Sequence, residues 1–202
     1  MTTVPKEFVL ASSNAGKLRE IAYLLGGLGA TVVAQAELGV EDVAETGASF
    51  AENSLLKALH ASAATGLPAI ADDSGLVVDA LDGAPGIYSA RYSGPNAKDD
   101  SNITKLLDEL QGVADESRIA AFHCVATFVA PEDTRPLLAE GVWRGSILNS
   151  PRGDNGFGYD PIFLDLESGL SAAELSAAQK SVCSHRGQAL RKLVTLIEQR
   201  YS

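Results

Sequence analysis

Residues 9–21 read VLASSNAGKLREI: an apolar run enters a small polar loop carrying a lysine and leaves it as an amphipathic helix. Strand, polar loop and helix in that order is a common way to build a phosphate cradle, because a helix start offers N–H groups that the helix itself does not use. Two familiar versions do not fit. In a GxxxxGK[ST] loop the glycines let the backbone wrap the phosphates and the hydroxyl serves magnesium, but here Ala11 stands at the first glycine and Leu18 at the hydroxyl. A GxGxxG dinucleotide turn fails as well, since Gly16 is the one glycine in the turn. What remains is an anion site at a helix N-terminus near Lys17, framed by Ser12, Ser13 and Asn14.

Outward from this stretch, 202 residues with 46% hydrophobic composition suit one domain over 1–202 with a sizeable core. A formal net charge of −10 argues against a surface that tracks a nucleic acid backbone. A small anionic ligand is still compatible, because Lys, Arg and a divalent metal decide the field within a cleft. The start MTTVPKEFVL has no long apolar segment behind a basic stretch, and no apolar run approaches the roughly 20 residues of a membrane helix. A cytoplasmic protein without a membrane partner is expected. Cys124 and Cys183 have no short spacing, so neither a disulfide framework nor a zinc knuckle is expected, and both should be reduced and packed.

The periodicity predicts a strand over 6–12 and a helix over 16–28, with Leu18, Ile21, Leu24, Leu25 and Leu28 on one side and Gly26, Gly27 and Gly29 ending it. A strand over 31–35 and an acidic loop with Glu37, Glu41, Asp42 and Glu45 follow. Ser49 and Glu52 are spaced as a capping box opening a helix whose Leu55, Leu56 and Leu59 face inward, until Gly66 and Pro68 stop it. Runs 68–71 and 76–81 read as two strand-like pieces meeting at an acidic kink, Asp72-Asp73-Ser74-Gly75. Residues 83–95 form a structured loop, 100–110 a helix, and 118–130 and 135–148 two strands joined by the turn 131–134. After GDNGFGYDPIF (153–163) comes a helical tail broken near Ser184 and running to Gln199. Early alternation of helix and strand followed by a hairpin indicates an α/β fold with a mixed sheet flanked by helices.

Several side chains could carry chemistry. Asp72 and Asp73 follow an apolar run, and a strand sends neighbours to opposite sides, so one carboxylate would face a cleft and the other cap the backbone. An ordinary acidic turn is the competing reading. Glu45 could bring a second carboxylate to the same ion, and a hard oxygen donor set beside a phosphate cradle points to Mg²⁺ over zinc. His60, His123 and His185 have no ligand spacing. Lys57 lies one helical turn beyond Asn53, where a solvated lysine is the bland alternative. Phe157 and Tyr159 sit on a glycine loop, from which a ring can lie on a purine or pack in the core. Ser184, His185 and Arg186 open the last helix as a cap and two donors.

With these residues placed, the chain resembles the inosine triphosphate pyrophosphatase family, and its bacterial type in particular. SSNAGK, ETG with ENSLLKA, ADDSGLVVDAL, GAPGIYSARYSG, FGYDPIF and SHRGQAL appear in the family's order over nearly the whole chain. The resemblance implies Mg²⁺-dependent hydrolysis of inosine, deoxyinosine and xanthosine triphosphates to the monophosphate and pyrophosphate. It implies an elongated mixed sheet with two lobes, a nucleotide cleft between them, and a homodimer. By motif position Ser12, Ser13, Asn14, Ala15, Gly16 and Lys17 would hold the triphosphate and Lys57 would assist. Glu45 and Asp73 would bind the metal, and Asp73, with Asp72 next in line, would activate water. Phe157 would stack on the base, with Gly158, Tyr159 and Asp160 of the same motif against the substrate. Ser74, Lys180, His185 and Arg186 would read the base or steady the nucleotide. Asp154 and Asn155 fall in a loop that varies among members, which bears on base preference. A septum-associated nucleotide pyrophosphatase, which lacks SHRGQAL, and a nucleotide-binding regulatory module are the rival readings.

Overall fold

A computed structural model describes residues 4–26, 29–131 and 133–202. Strands β1 (Glu7–Leu10), β2 (Thr31–Ala34), β3 (Ala69–Val78), β4 (Ile119–Ala130), β5 (Asp133–Ile147) and β6 (Phe163–Asp165) form one sheet in the order β2-β1-β3-β4-β5-β6. Helices α1 (Ala15–Leu25), α2 (Phe50–Thr65), α3 (Asp99–Glu109), α4 (Ala177–Cys183) and α5 (His185–Tyr201) complete it. β1 pairs in parallel with both β2 and β3, whereas β6 runs antiparallel to β5, so the sheet is mixed. Gly27, Leu28, Glu132 and the side chain of Leu24, which enter the sequence reading of the first helix and of the hairpin turn, lie outside the described residues.

The chain divides into two compact units. The first comprises Met1–Asp73, Cys124–Gly141 and His185–Ser202; the second comprises Ser74–His123 and Val142–Ser184. In the first unit, alternation along the strands sends side chains to two faces. Phe8 and Leu10 of β1, Ile70 of β3 and Ala126 and Phe128 of β4 pack with Ile21 and Leu25 of α1 and Leu190, Leu193 and Ile197 of α5. Val9 and Ala11, Ala69 and Ala71, and Val129 take the other face, against Ala58 and Ala61 of α2. Parallel strands in the order 2-1-3 require the crossover helices α1 and α2 to lie on opposite faces if both connections are right-handed. The strand order reverses between β1 and β3, since β2 lies on one side of β1 and β3 on the other, and ligands of open α/β sheets settle outside the strand C-termini at such a switch point.

The core of the second unit joins Leu76 and Val78 of β3, Ile103, Leu106 and Leu110 of α3, and an aromatic group of Phe122, Trp143 and Phe163. The Phe163 ring lies 4.6 Å from Phe122 and 4.9 Å from Trp143, centroid to centroid. Arg118, almost fully buried, donates to the carbonyls of Ile147, Leu110 and Leu148, tying the end of α3 to the end of β5.

Three expectations change. The acidic kink does not exist: β3 runs unbroken through Asp72-Asp73-Ser74-Gly75. α2 turns inward mainly its small residues: Leu55 packs partly buried against this core, but Leu59 is 48% exposed while Asn53, Ser54, Ala58, Ala61 and Ser62 are buried. Small side chains let the helix lie close on the alanine-lined face of the sheet. Only half of the capping box forms, because Ser49 accepts from Glu52 N–H but the Glu52 carboxylate turns to Ala48 N–H. The three-residue β6 falls within 153–163 and immediately after, where glycines and proline conceal it.

Candidate active site

The loop between β1 and α1 is shaped by Asn14, the N-cap of α1. Its Oδ1 accepts from the N–H groups of Gly16 at 2.9 Å and Lys17 at 3.0 Å, and its own N–H donates to Ser12 Oγ at 3.2 Å. The sequence reading leaves these N–H groups open to an anion, whereas the fold already occupies those of Gly16 and Lys17. Ser12, Ser13, Asn14 and Ala15 line an accessible loop, and Lys17 points away from it into the unit.

Asp72 and Asp73 sit just past Ile70, the last β3 residue paired with β1, and alternation sends them to opposite faces of the sheet. Asp72 falls on the face of α1 and α5. Its Oδ2 lies 3.1 Å from Lys17 Nζ and 3.2 Å from Arg186 Nε, with Cys124 Sγ 3.9 Å away. Arg186 also pairs with Glu20 of α1. Asp72 therefore anchors two cations. Its complete burial opposes a charge, but Lys17, Arg186 and Lys57 outweigh that and hold the carboxyl far below the usual carboxylate range. Burial pushes the neighbouring Cys124 thiol up and out of reach of ionisation.

Asp73 faces α2. Its Oδ1 lies 2.8 Å from Lys57 Nζ, which also sits 2.9 Å from Glu45 Oε1. Burial raises the Asp73 carboxyl above its ordinary value; Lys57 and Lys17 pull it back, and the Glu45 charge adds to the rise. For Lys57 burial works the other way, yet Asp73, Asp72 and Glu45 hold the ammonium above its usual value. Asn53 explains how Glu45 comes here. This buried amide accepts from Gly47 N–H at 2.8 Å and donates to Asp73 Oδ2 at 3.4 Å, so it fastens the acidic loop beside the aspartate. A Cβ on Gly47 would lie 2.7 Å from both Asn53 Oδ1 and Glu52 Cβ, so the loop requires glycine there. Three cations (Lys17, Lys57, Arg186) thus meet four carboxylates (Glu20, Glu45, Asp72, Asp73).

In the second unit Asp160 is the hub. Its Oδ2 lies 2.6 Å from Lys180 Nζ and 2.8 Å from Phe157 N, and the Lys180 ammonium stands 5.1 Å from the Phe157 ring centroid. Tyr159 is buried with its hydroxyl donating to Ser89 O at 2.9 Å, so it belongs to the core and not to an open surface. Ser74 follows Asp73 in β3 and is half-buried.

The predicted residues therefore fall into two sets. Lys17, Glu45, Lys57, Asp72, Asp73 and Arg186 gather in the first unit as ion pairs on the two faces of β3, while Phe157, Asp160 and Lys180 form a cluster in the second. His185 is buried at the first residue of α5, beside Arg186. Sequence reasoning did not find Glu20 or Asn53. Glu20 follows Lys17 by three positions on α1, which places both on one side of that helix; Asn53 follows the N-cap Ser49 by four. Among the described residues no group of three His, Cys, Asp or Glu side chains gathers as for a metal.

A family model described as the Ham1 family matches residues 8–196. A dITP/XTP pyrophosphatase of Xanthomonas oryzae pv. oryzae is 58% identical over 189 residues, covering 93% of this chain and 95% of its own. A protein of the same name from Escherichia coli O157:H7 is 56% identical over 190 residues, covering 94% and 96%. The solved structure of a HAM1 protein from Coxiella burnetii superposes with a TM-score of 0.87 at 48% identity, covering 96% of this chain and 98% of that one.

Proposed function

The chain belongs to the Ham1 family, and on that premise we propose that it hydrolyses deaminated purine nucleoside triphosphates, inosine, deoxyinosine and xanthosine triphosphate, to the monophosphate and pyrophosphate. The names of its relatives support the substrate class. The observation that carries the reading is the split pair on β3: one aspartate is locked to two cations, and its neighbour is buried beside Lys57 with a raised pKa.

Magnesium fits this donor set. Glu45 Oε1 and Asp73 Oδ1 converge on one ammonium, Lys57 Nζ, at 2.9 and 2.8 Å, so two carboxylates stand together where a cation is already held. A magnesium ion uses one or two carboxylates and fills its shell with phosphate oxygens and water, so two protein ligands suffice. When bound, it would draw charge from the phosphate oxygens and ease departure of pyrophosphate.

The remaining steps belong to the chain. Asp73 takes the proton of the attacking water as the water oxygen bonds to the α-phosphorus. The bond from that phosphorus to the bridging oxygen breaks, and its electrons leave with pyrophosphate. Asp72, held strongly acidic by Lys17 and Arg186, is a poor base, which leaves its neighbour Asp73 for that role. Asp72 instead orients Lys17, which with Lys57 and the Ser12–Lys17 loop neutralises the phosphates. Phe157 stacks on the purine. His185, Arg186, Ser74 and the Lys180–Asp160 pair steady the nucleotide, and donors aimed at a 6-oxo group reject adenine by leaving polar atoms unpaired, a penalty that reaches roughly 10⁴.

We carry two further statements with this reading, a cytoplasmic location and a homodimer. Among the described residues no helix is long and apolar enough to cross a membrane, and Cys124 and Cys183 are free thiols, as a reducing compartment favours. The test is pyrophosphate release with Mg²⁺ from inosine, xanthosine, guanosine, adenosine and thymidine triphosphates. Inosine and xanthosine triphosphates should be the good substrates; a pyrimidine preference would favour the septum-associated group, and no turnover would reduce the protein to a binding module.

A further inference from the structure

We propose that Asp99, in the first turn of α3, is a positioning residue for the Phe157 ring, an inference that rests on the reading of Phe157 as the base-stacking side chain. The loop that carries the ring is fixed on both sides of Gly158. Asp160 accepts from Phe157 N–H at 2.8 Å and draws in Lys180 at 2.6 Å. Tyr159 donates to Ser89 O at 2.9 Å, and the same carbonyl accepts from Asn102 Nδ2 at 3.3 Å. Between them Gly158 has a left-handed φ of +62° and no side chain to pack, so its peptide would be the pivot of the loop.

That pivot is held by one bond: Gly158 N–H donates to Asp99 Oδ2 at 2.6 Å, across 59 residues of sequence. An ionised acceptor makes this shorter and stronger than a bond between neutral groups. Asp99 and Asn102 lie three apart and so share one side of α3. The first turn of that helix thus grips the loop twice, directly at Gly158 and through Ser89 at Tyr159. Phe157, whose N–H and ring sit one residue before the pivot, is oriented by a helix that contributes none of its own atoms to the Lys180–Asp160 cluster.

The bland alternative is that Asp99 merely favours the helix N-terminus, as any acid in a first turn does. Asp100 is the control, since it occupies the same turn and its carboxylate makes no hydrogen bond to the loop. The experiment compares Asp99→Ala, Asp99→Asn and Asp100→Ala, each alone and with Phe157→Ala, by steady-state kinetics on inosine triphosphate and by amide hydrogen exchange of residues 154–162. Asp99→Ala should raise KM roughly three- to tenfold, the effect of losing one solvent-exposed hydrogen bond, with kcat within about twofold of the wild type and faster exchange in the loop. Asp99→Asn, which keeps an acceptor oxygen, should restore most of both, and Asp100→Ala should change neither. On Phe157→Ala, Asp99→Ala should add nothing to KM. An unchanged KM, an equal effect of Asp100→Ala, or an undiminished effect without the Phe157 ring would overturn the proposal. If the wild type turns over no triphosphate, the proposed function is what fails, and the exchange data alone then decide whether Asp99 holds the loop.

Discussion

Neutralising the two adjacent aspartates should have unequal consequences for stability. In Asp72→Asn the amide keeps the shape of the side chain but leaves Lys17 and Arg186, 3.1 and 3.2 Å away, without their common counter-charge in a site where Asp72 is only 1% exposed. Removing one partner of a buried pair costs about 3–5 kcal/mol. The lower end applies here, since Arg186 keeps Glu20 and the amide oxygen can still accept from Lys17. With a urea slope near ~3 kcal/mol/M, the unfolding midpoint followed by circular dichroism should fall by about 1 M. The pH dependence follows from the lowered pKa. Asp72 contributes its stability above the unfolded-state value near ~3.9, and that contribution is lost as pH falls toward the much lower folded-state value. The gap between wild type and Asp72→Asn should therefore be constant between roughly pH 5 and 8 and narrow below about pH 4. Asp73→Asn should cost less, because Lys57 keeps Glu45 as a second counter-charge at 2.9 Å and burial already disfavours the charged form of Asp73, so its stability at neutral pH should lie within about 1 kcal/mol of the wild type. Equal destabilisation by the two changes, or a gap for Asp72→Asn that widens in acid, would refute the assignment of structural and catalytic roles.

Other outcomes follow from single contacts. Phe157→Ala should raise KM more than it lowers kcat, since base stacking on an aromatic ring is worth about 1–3 kcal/mol and acts on substrate and transition state alike; a loss confined to kcat would place the ring in the chemistry. Gly141→Ala would put a Cβ 2.0 Å from His185 O and 2.7 Å from Ala189 N, at the start of α5. It should cost at least ~2 kcal/mol in thermal unfolding, whereas an unaltered melting temperature would show that α5 can move aside. Glu45→Gln should raise the magnesium concentration needed for half-maximal turnover by about tenfold, and an unchanged requirement would remove Glu45 from the proposed metal set.

The opening strand–loop–helix was legible because its cues are local: an apolar run, an Asx cap and helical spacing of Leu18, Ile21 and Leu25. The opposite facing of Asp72 and Asp73 was legible for the same reason, since alternation needs only the strand. What escaped is set by distant partners. DDSG looks like a turn to any local rule, yet Arg186, 114 residues away, Lys17 and Lys57 stabilise its carboxylates inside a straight strand. The inward face of α2 was misread because leucines are taken as core by default, whereas close approach to an alanine-lined sheet selects Ala58 and Ala61. Asn53 gave no signal of its own, since its role exists only once Gly47 and Asp73 are both beside it.

In the proposed reaction water, activated by Asp73, attacks the α-phosphorus of a deaminated purine triphosphate. Turnover of inosine triphosphate with Mg²⁺ in ¹⁸O-labelled water, read by mass spectrometry, tests it most directly. Inosine monophosphate should carry one ¹⁸O and pyrophosphate none, and Asp73→Asn should lose the labelling. Label in pyrophosphate or in orthophosphate, or labelling that persists undiminished in Asp73→Asn, would contradict it.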